Sequence, residues 1–389
     1  MSYAFKSSCC GFARSQAMPF KIDPAARSAA IIGSSVATLA IILVAGLWPF
    51  HSPKNDVTWL AGENGIRIGN HGCLLSAGPL RAYDSKDDSS GSLELWIKPA
   101  LATKGRRTIL AFEGPGDDAT ALSLQQNGNT LIIQRKNTDA NGVLHTAEFV
   151  LREALVGDSR TELTVTLGPH DTKVYRNGIL AVTSQLTGNS TPVFAGRLVL
   201  GNFLNVGGTW LGQVYGLAVY GRQLAPEEVT SHYEEWNDFH QPRVTQQEQP
   251  VALYSFPERA GRIVHDQLGS QNNLLIPERY LVLHPQFLSV TWRHFRSTPG
   301  YWKDVAINII GFVPFGFSFF AYFSAVRVSK KAALIVVLLG FLTSLTIEVL
   351  QAWLPTRNSG INDLITNTLG TGLGVVLYRS PLTRTILGQ

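Results

Sequence analysis

Seven polar residues stand inside or beside apolar runs toward the C-terminal end of the chain. Asp304 and Asn308 are four apart, Glu348 and Gln351 three apart, and Asp363 and Asn367 four apart; Arg357 lies between the last two pairs. Three or four residues is about one helical turn, so each pair shares a face of its own helix. Carboxylates so placed can move a proton, and a nearby arginine can grip a phosphate. A charge at mid-bilayer costs on the order of 3 kcal/mol or more, so such groups face a bundle interior or a water-filled cavity and mark function by default. The competing use is helix–helix hydrogen bonding, with Asn and Gln as glue. Three carboxylates for one arginine is more charge than packing needs. The pattern therefore reads as a site. Glu348 and Asp363 are the acid–base candidates, and Arg357, Asp304, Asn308, Gln351 and Asn367 are the substrate-binding candidates. No metal-ligating cluster and no clear nucleophile accompanies them.

Four elements must position these residues. Residues 29–48, 304–326, 332–354 and 361–378 are apolar runs of about the length that crosses a bilayer. The first reads as an uncleaved anchor rather than a secretory signal peptide. Lys6, Arg14, Lys21 and Arg27 precede it, Arg327, Lys330 and Lys331 fill the loop after the second run, and Arg379 and Arg384 follow the last. Lys and Arg mark cytoplasmic loops. The expected topology has tails 1–28 and 379–389 inside, residues 50 to about 300 outside, and four transmembrane helices. Glu348 then lies roughly 9 Å below the outer end of its span at about 1.5 Å per residue, and all seven polar residues gather at the outer-leaflet level. Gly370 and Gly374, four apart, allow a close helix approach. Pro314 sits inside the second run and can kink it.

Composition agrees. Of 389 residues, 45% are hydrophobic and only 16% charged, which fits a chain that is partly membrane. The net charge of +5 comes from basic residues beside the apolar runs, which is no nucleic-acid signal. Cys9 and Cys10 are adjacent and Cys73 stands alone; the topology puts Cys73 across the membrane from the pair, so no disulfide joins them.

Residues 55–240 are different in kind. Period-two alternation recurs at 92–98, 108–112, 130–135, 161–167, 172–176, 197–202 and 212–220, the mark of strands buried on one face. Asn177-Gly178 supplies a tight hairpin turn. Residues 225–236, with Pro226 and acids in the first turn, predict a closing helix. Residues 241–300 read as a connector with a partial repeat or a strand hairpin laid on the sandwich.

The segments GSLELWIKP, VYRNGILA and the stretch from LGNF to YGRQLAPEEVTSHY resemble the laminin-G/concanavalin A-like lectin superfamily over about 55–240. The resemblance implies a jelly-roll of two antiparallel sheets that binds a glycan or a protein. Some such domains hold calcium. Asp87, Asp88, Asp117 and Asp118 have that chemistry, against the plainer reading of solvated loops. Trp210 and Tyr220 are candidate glycan-stacking aromatics, against a place in the core. No other cofactor is expected.

Over about 300–378, KDVAINIIGFVPFGF followed by IEVLQAWLPTRNSGINDLITNTLGTGLG resembles the VanZ-like family of bacterial membrane proteins. Its polar positions fall on Asp304, Asn308, Pro314, Gly316, Glu348, Gln351, Arg357, Asp363, Asn367 and Gly370. The family takes its name from low-level teicoplanin resistance. The resemblance implies a multi-pass protein of a bacterial inner or plasma membrane. The chain is thus expected to be multidomain: an external all-β sandwich on a four-helix membrane bundle. Its partners would be the bilayer and a glycan, cell-wall polymer or protein. Three functions stand open: an envelope ligand-binding protein, an enzyme acting on a lipid-linked or cell-wall substrate, and an adhesion scaffold.

Overall fold

A computed structural model describes residues 24–80, 89–100, 105–114, 120–156, 159–186, 188–201, 209–283, 287–289, 299–325, 331–357, 359–381 and 383. Cys9, Cys10 and the four loop aspartates lie outside the described residues. The chain divides into two compact units. One holds Met1–Gly46, His294–Thr346 and Asn362–Gln389; the other holds Leu47–Arg293 and Ile347–Ile361.

The second unit is a β-sandwich. Its strands are β1 (Val57–Trp59), β2 (Ile66–Ile68), β3 (Leu74–Pro79), β4 (Gly91–Pro99), β5 (Arg107–Glu113), β6 (Thr120–Asn127), β7 (Thr130–Thr138), β8 (Leu144–Leu151), β9 (Thr161–Leu167), β10 (Asp171–Arg176), β11 (Ile179–Gln185), β12 (Asn189–Ser190), β13 (Arg197–Leu200), β14 (Gly212–Tyr220), β15 (Pro250–Tyr254), β16 (Ile263–Val264) and β17 (Leu274–Leu275). One sheet runs β1-β2-β14-β4-β9-β10-β11 with β15 on β14; the other runs β12-β7-β6-β5-β13-β3-β17-β16 with β8 on β7. All strand pairs are antiparallel. Alternation explains the layering: Leu93, Leu95 and Ile97 of β4 meet Leu110, Phe112, Leu122 and Leu124 of the facing sheet in one core, and the residues between them point outward. The turn at Asn177-Gly178 has φ of 51° and 73°, the left-handed pair a tight hairpin requires. Residues 250–275 are not an appendage: β15 extends one sheet and β17 pairs with β3 of the other.

Helix α2 (Pro226–Phe239; α1 is Pro24–Leu47 of the other unit) packs on the outer face of the first sheet. Pro226 opens it, Glu228 accepts the Ala225 N–H at 2.7 Å, and His240 ends it in a left-handed conformation. Val229, His232 and Trp236 are its buried stripe, and Trp236 lies so close over Gly216 that any Cβ there would strike the indole.

The first unit is helical, built from α1, α3 (Pro299–Ala325), α4 (Ala332–Gln351, through Thr346) and α5 (Ile361–Arg379, from Asn362). Segments Ala25–Leu47, Gly300–Ala325 and Ala332–Gln351 are long and apolar enough to cross a membrane. α5 is as long as a span needs, but Asn362, Asp363, Thr366, Asn367 and Thr368 make its first half more polar. α3 continues as one helix through Pro314. Its contact with α5 is backbone on backbone: a Cβ at Gly370 would collide with the Ile309 carbonyl, one at Gly374 with that of Val313, and one at Gly316 with that of Thr371. Phe320, Ala321, Ala332, Val336, Val375 and Tyr378 close the helical core, with Ile31 of α1 packed against it.

Candidate functional site

The polar residues singled out in the helices divide between the two units. In the helical unit, Asn308 of α3 hydrogen-bonds the Asp363 carboxylate of α5, and Asp304, one turn before Asn308, is near enough to act on it electrostatically. Asp363 is half-buried and Asp304 exposed. Two carboxylates and an amide thus converge, held by the glycine-mediated approach of α3 to α5. One turn further along α5, Asn367 is buried and donates Nδ2 to Ser344 Oγ of α4 at 2.9 Å, while its Oδ1 has no protein partner. Ser344 was not singled out from sequence. The signal was present, since it lies one helical turn before Glu348.

In the other unit Glu348 anchors a loop. Its side chain is 1% exposed, and Oε2 accepts the Gly360 N–H at 2.8 Å. The Gly360 segment pairs with residues 288–289: Ser289 N–H donates to the Ser359 carbonyl at 2.9 Å, Ile361 N–H to the Ser289 carbonyl at 3.2 Å, and Leu288 N–H to Ser359 Oγ at 3.2 Å. Gln351 is buried at the helix end, where its carbonyl accepts Leu354 N–H. Arg357 donates from Nε to the Trp48 carbonyl at 3.1 Å. The two acid–base candidates thus have different partners: Glu348 holds the Gly360 amide and Asp363 meets Asn308. Glu348 and Arg357 have loop-holding bonds, whereas Asp304, Asn308 and Asp363 gather side chain to side chain.

The sandwich carries a second polar group that sequence reading missed. Across eight neighbouring strands the register aligns Ile263, Leu275, Leu75, Val199, Ala111, Ser123, Gln134 and Glu148. By alternation this row lies on the face opposite Leu122, Leu124 and Ile133. It is apolar at one end and polar at the other. At the polar end Gln125 Nε2 donates to Gln134 Oε1 at 2.9 Å and to Ser123 Oγ at 3.1 Å, and Gln134 Nε2 donates to Glu148 Oε2 at 3.1 Å. Arg106 clamps Glu148 through both terminal nitrogens, at 2.8 and 2.9 Å. Trp210 and Tyr220, the aromatics considered for stacking, are 0% exposed and belong to the interior, where Trp210 Nε1 donates to Gln126 Oε1 at 2.5 Å. Cys73 is buried, and burial pushes its thiol up to about 11. No group of three metal-ligating side chains occurs among the described residues.

Residues 251–384 match the VanZ/LLP1 family, and residues 76–230 match the concanavalin A-like lectin/glucanases superfamily. The C-terminal third of the chain is VanZ-like and the middle is concanavalin A-like. Protein VanZ of Enterococcus faecium is 34% identical over 108 residues, 28% of this chain and 60% of that protein, so the chain spans less than two thirds of its curated relative. Among solved structures, a candidate carbohydrate-binding protein from Bacteroides ovatus aligns with 12% identity over 58% of each chain and a TM-score of 0.38. The receptor-binding domain of botulinum neurotoxin type G aligns with 13% identity over 47% of this chain and 45% of that one, with a TM-score of 0.35. The VanZ-like region carries membrane-type helices, and the sandwich is a lectin-like fold in the sense of two packed antiparallel sheets.

Proposed function

We propose that the chain is a multi-pass protein of a bacterial envelope whose external sandwich holds a glycan or related envelope ligand and whose VanZ-like helices carry a polar site at the outer leaflet. The observation that carries the first half is the polar end of the nine-stranded sheet. Gln134 and Glu148, the members of the polar end that reach the surface, offer both donors and acceptors, fixed in place by buried Gln125 and by Arg106. Amides and carboxylates held that way recognise hydroxyl groups with little ordering cost. In the helices, the Asp304, Asn308 and Asp363 group is the acid–base or ligand-holding centre, with Glu348 and Arg357 supporting the loop that follows α4.

The test uses the full chain in lipid nanodiscs, because residues 347–361 belong to the same unit as the sandwich and a shorter fragment would lack them. A glycan array with and without calcium should give saturable binding that weakens in Gln134→Ala and Glu148→Ala. Binding that is unchanged in both variants, or absent from a folded wild-type chain, removes the glycan reading. The VanZ resemblance supplies the readout for the helices: teicoplanin susceptibility of a bacterial host that makes the full chain.

A further inference from the structure

Beneath α2 lies a layer of ionisable side chains that neither proposed site uses. Glu94 of β4 is 0% exposed and Glu162 of β9 1% exposed; His232 of α2 and Glu248 of the turn before β15 are also buried. Glu94 Oε1 lies 2.6 Å from His232 Nδ1, and His232 Nε2 lies 3.6 Å from Glu248 Oε1. Glu94 Oε2 accepts Tyr220 O–H at 3.0 Å and Trp236 Nε1–H at 2.9 Å. Glu162 accepts Thr164 Oγ–H at 2.5 Å and Gly178 N–H at 3.4 Å. We propose that this layer is a pH-sensitive latch: α2 is docked on the sheet while the layer holds protons on both His232 and Glu162, and it loosens as those protons are withdrawn.

The geometry shows what favours those protons. Both ring nitrogens of His232 face carboxylates, and an ionised carboxylate only accepts. Nδ1–H donates to Glu94 at 2.6 Å, Tyr220 O–H lies 3.3 Å from the same nitrogen, and Nε2 lies 3.6 Å from Glu248, within charge attraction rather than hydrogen-bond reach, so the two carboxylates favour the doubly protonated ring. Three carboxylates against one imidazolium still leaves excess negative charge in a water-excluded layer, which a proton on Glu162 relieves. The remaining charged groups around the layer do not supply that compensation. Glu228 and Glu235 of α2 are acidic, and Arg222, the nearby cation, is clamped by Glu228 at 2.9 Å. Burial, then the neighbouring Glu94, pushes Glu162 up to about 8. Burial pulls His232 down, but the Glu94 hydrogen bond and the Glu94 and Glu248 charges outweigh it and hold the ring above its usual value.

Both groups are raised on folding, so both stabilise the docked state most at low pH, and that stability is lost as pH rises through their folded values. For Glu162 the window runs from the ordinary carboxylate range to about 8. What the latch controls is local. Tyr233 of α2 stacks on Trp96 at 5.9 Å, and Trp96, Trp236 and His240 line a niche with Glu63, Arg160 and Tyr215. Loosening α2 dismantles that niche while the core between the sheets stays closed. This inference rests on the layer alone and stands or falls apart from the glycan reading.

Hydrogen–deuterium exchange of the full chain in detergent micelles tests it, read as protection factors of the α2 amides between pH 5 and 9. In the wild type, protection falls by up to about tenfold per pH unit for each proton released. Glu162→Gln, a neutral isostere, should remove the share of that fall due to Glu162, and Glu162→Gln with His232→Asn should leave protection flat. An infrared band of a protonated buried carboxyl at pH 7, lost in Glu162→Gln, gives the same answer spectroscopically. If the variant does not fold, isotope-edited spectra of a glutamate-labelled Glu113→Gln chain, which lacks the other buried glutamate raised to about 7, still decide. Flat wild-type protection, an unaltered slope in Glu162→Gln, or no protonated glutamate at pH 7 overturns the latch.

Discussion

The layer beneath α2 and the interface between α3 and α5 bury ionisable groups in opposite ways. Under α2 the polar atoms are crowded: Glu94 alone collects His232, Tyr220 and Trp236. Between α3 and α5 the contact is made by glycines against carbonyls, and the polar residues are few. The contrast follows from what each fold is built to exclude. A sandwich in water buries polar side chains only when each finds partners, so a dense network there holds an element in place. Helices among lipid gain little from burying apolar groups and associate by close backbone approach. A carboxylate kept in such an interface is then better explained by what it binds than by what it holds.

The sharpest way to break that contrast is to remove the centre of the dense network. Glu94→Ala leaves three donors facing a cavity, and breaking a buried charged pair typically costs about 3–5 kcal/mol. Denaturant unfolding of the full chain, followed by tryptophan fluorescence, should show a loss of that size. A cost near zero would mean the layer is not what docks α2. On the helical side, Gly370→Leu drives a side chain into the Ile309 backbone. Overpacking of this kind costs roughly 1–3 kcal/mol, which thermal unfolding in detergent should register. Equal stability would show that α3 and α5 do not rely on glycine contact.

How much of this was legible beforehand depended on the range of the interactions. Strands β9 and β14 fall at 161–167 and 212–220, where their alternation put them, because that signal is carried by each strand alone. The closing helix and the Asn177-Gly178 turn are local as well. Strands β6 and β8 were not anticipated. TALSLQQN loses its alternation in a run of polar residues, and the outward side of LHTAEFVL mixes apolar and polar groups. On the helices, spacing put Asp304 with Asn308 and Asp363 with Asn367 one turn apart; Asp363 meets Asn308 of α3, whereas Asn367 meets Ser344 of α4. That α3 and α5 face each other was settled by Gly316, Gly370 and Gly374, and the loop that Glu348 holds by the pairing of Ser359 with Ser289. The polar end of the nine-stranded sheet was invisible for the same reason. Its row exists only once β5, β6, β7 and β8 are in register.

That row gives a smaller effect. Gln134 links Gln125 to Glu148, so Gln134→Ala removes the middle of the chain of amides. One hydrogen bond is worth about 1 kcal/mol net, so glycan affinity should fall several-fold to about tenfold, with unfolding almost unchanged. The reverse outcome, lost stability with unchanged binding, would class the row with the layer beneath α2 as a structural network.

The smallest stability effect belongs to the residue expected to matter most for activity. Asp363→Asn keeps the size of the side chain and its bond to Asn308, and it removes one of two like charges, since Asp304 is the neighbouring carboxylate. Folding should shift by roughly 0.5 kcal/mol or less, in either direction. The teicoplanin-susceptibility readout proposed for the helices should nevertheless separate this variant from the wild-type chain at equal membrane abundance. Glu348→Gln separates the alternatives, because Glu348 holds the Gly360 amide: losing that charge should lower stability more than Asp363→Asn does. If instead both variants keep the phenotype and differ only in stability, the sparse polar residues of the helices are packing groups. The contrast with the sandwich would then be one of degree, set by how many partners each solvent requires.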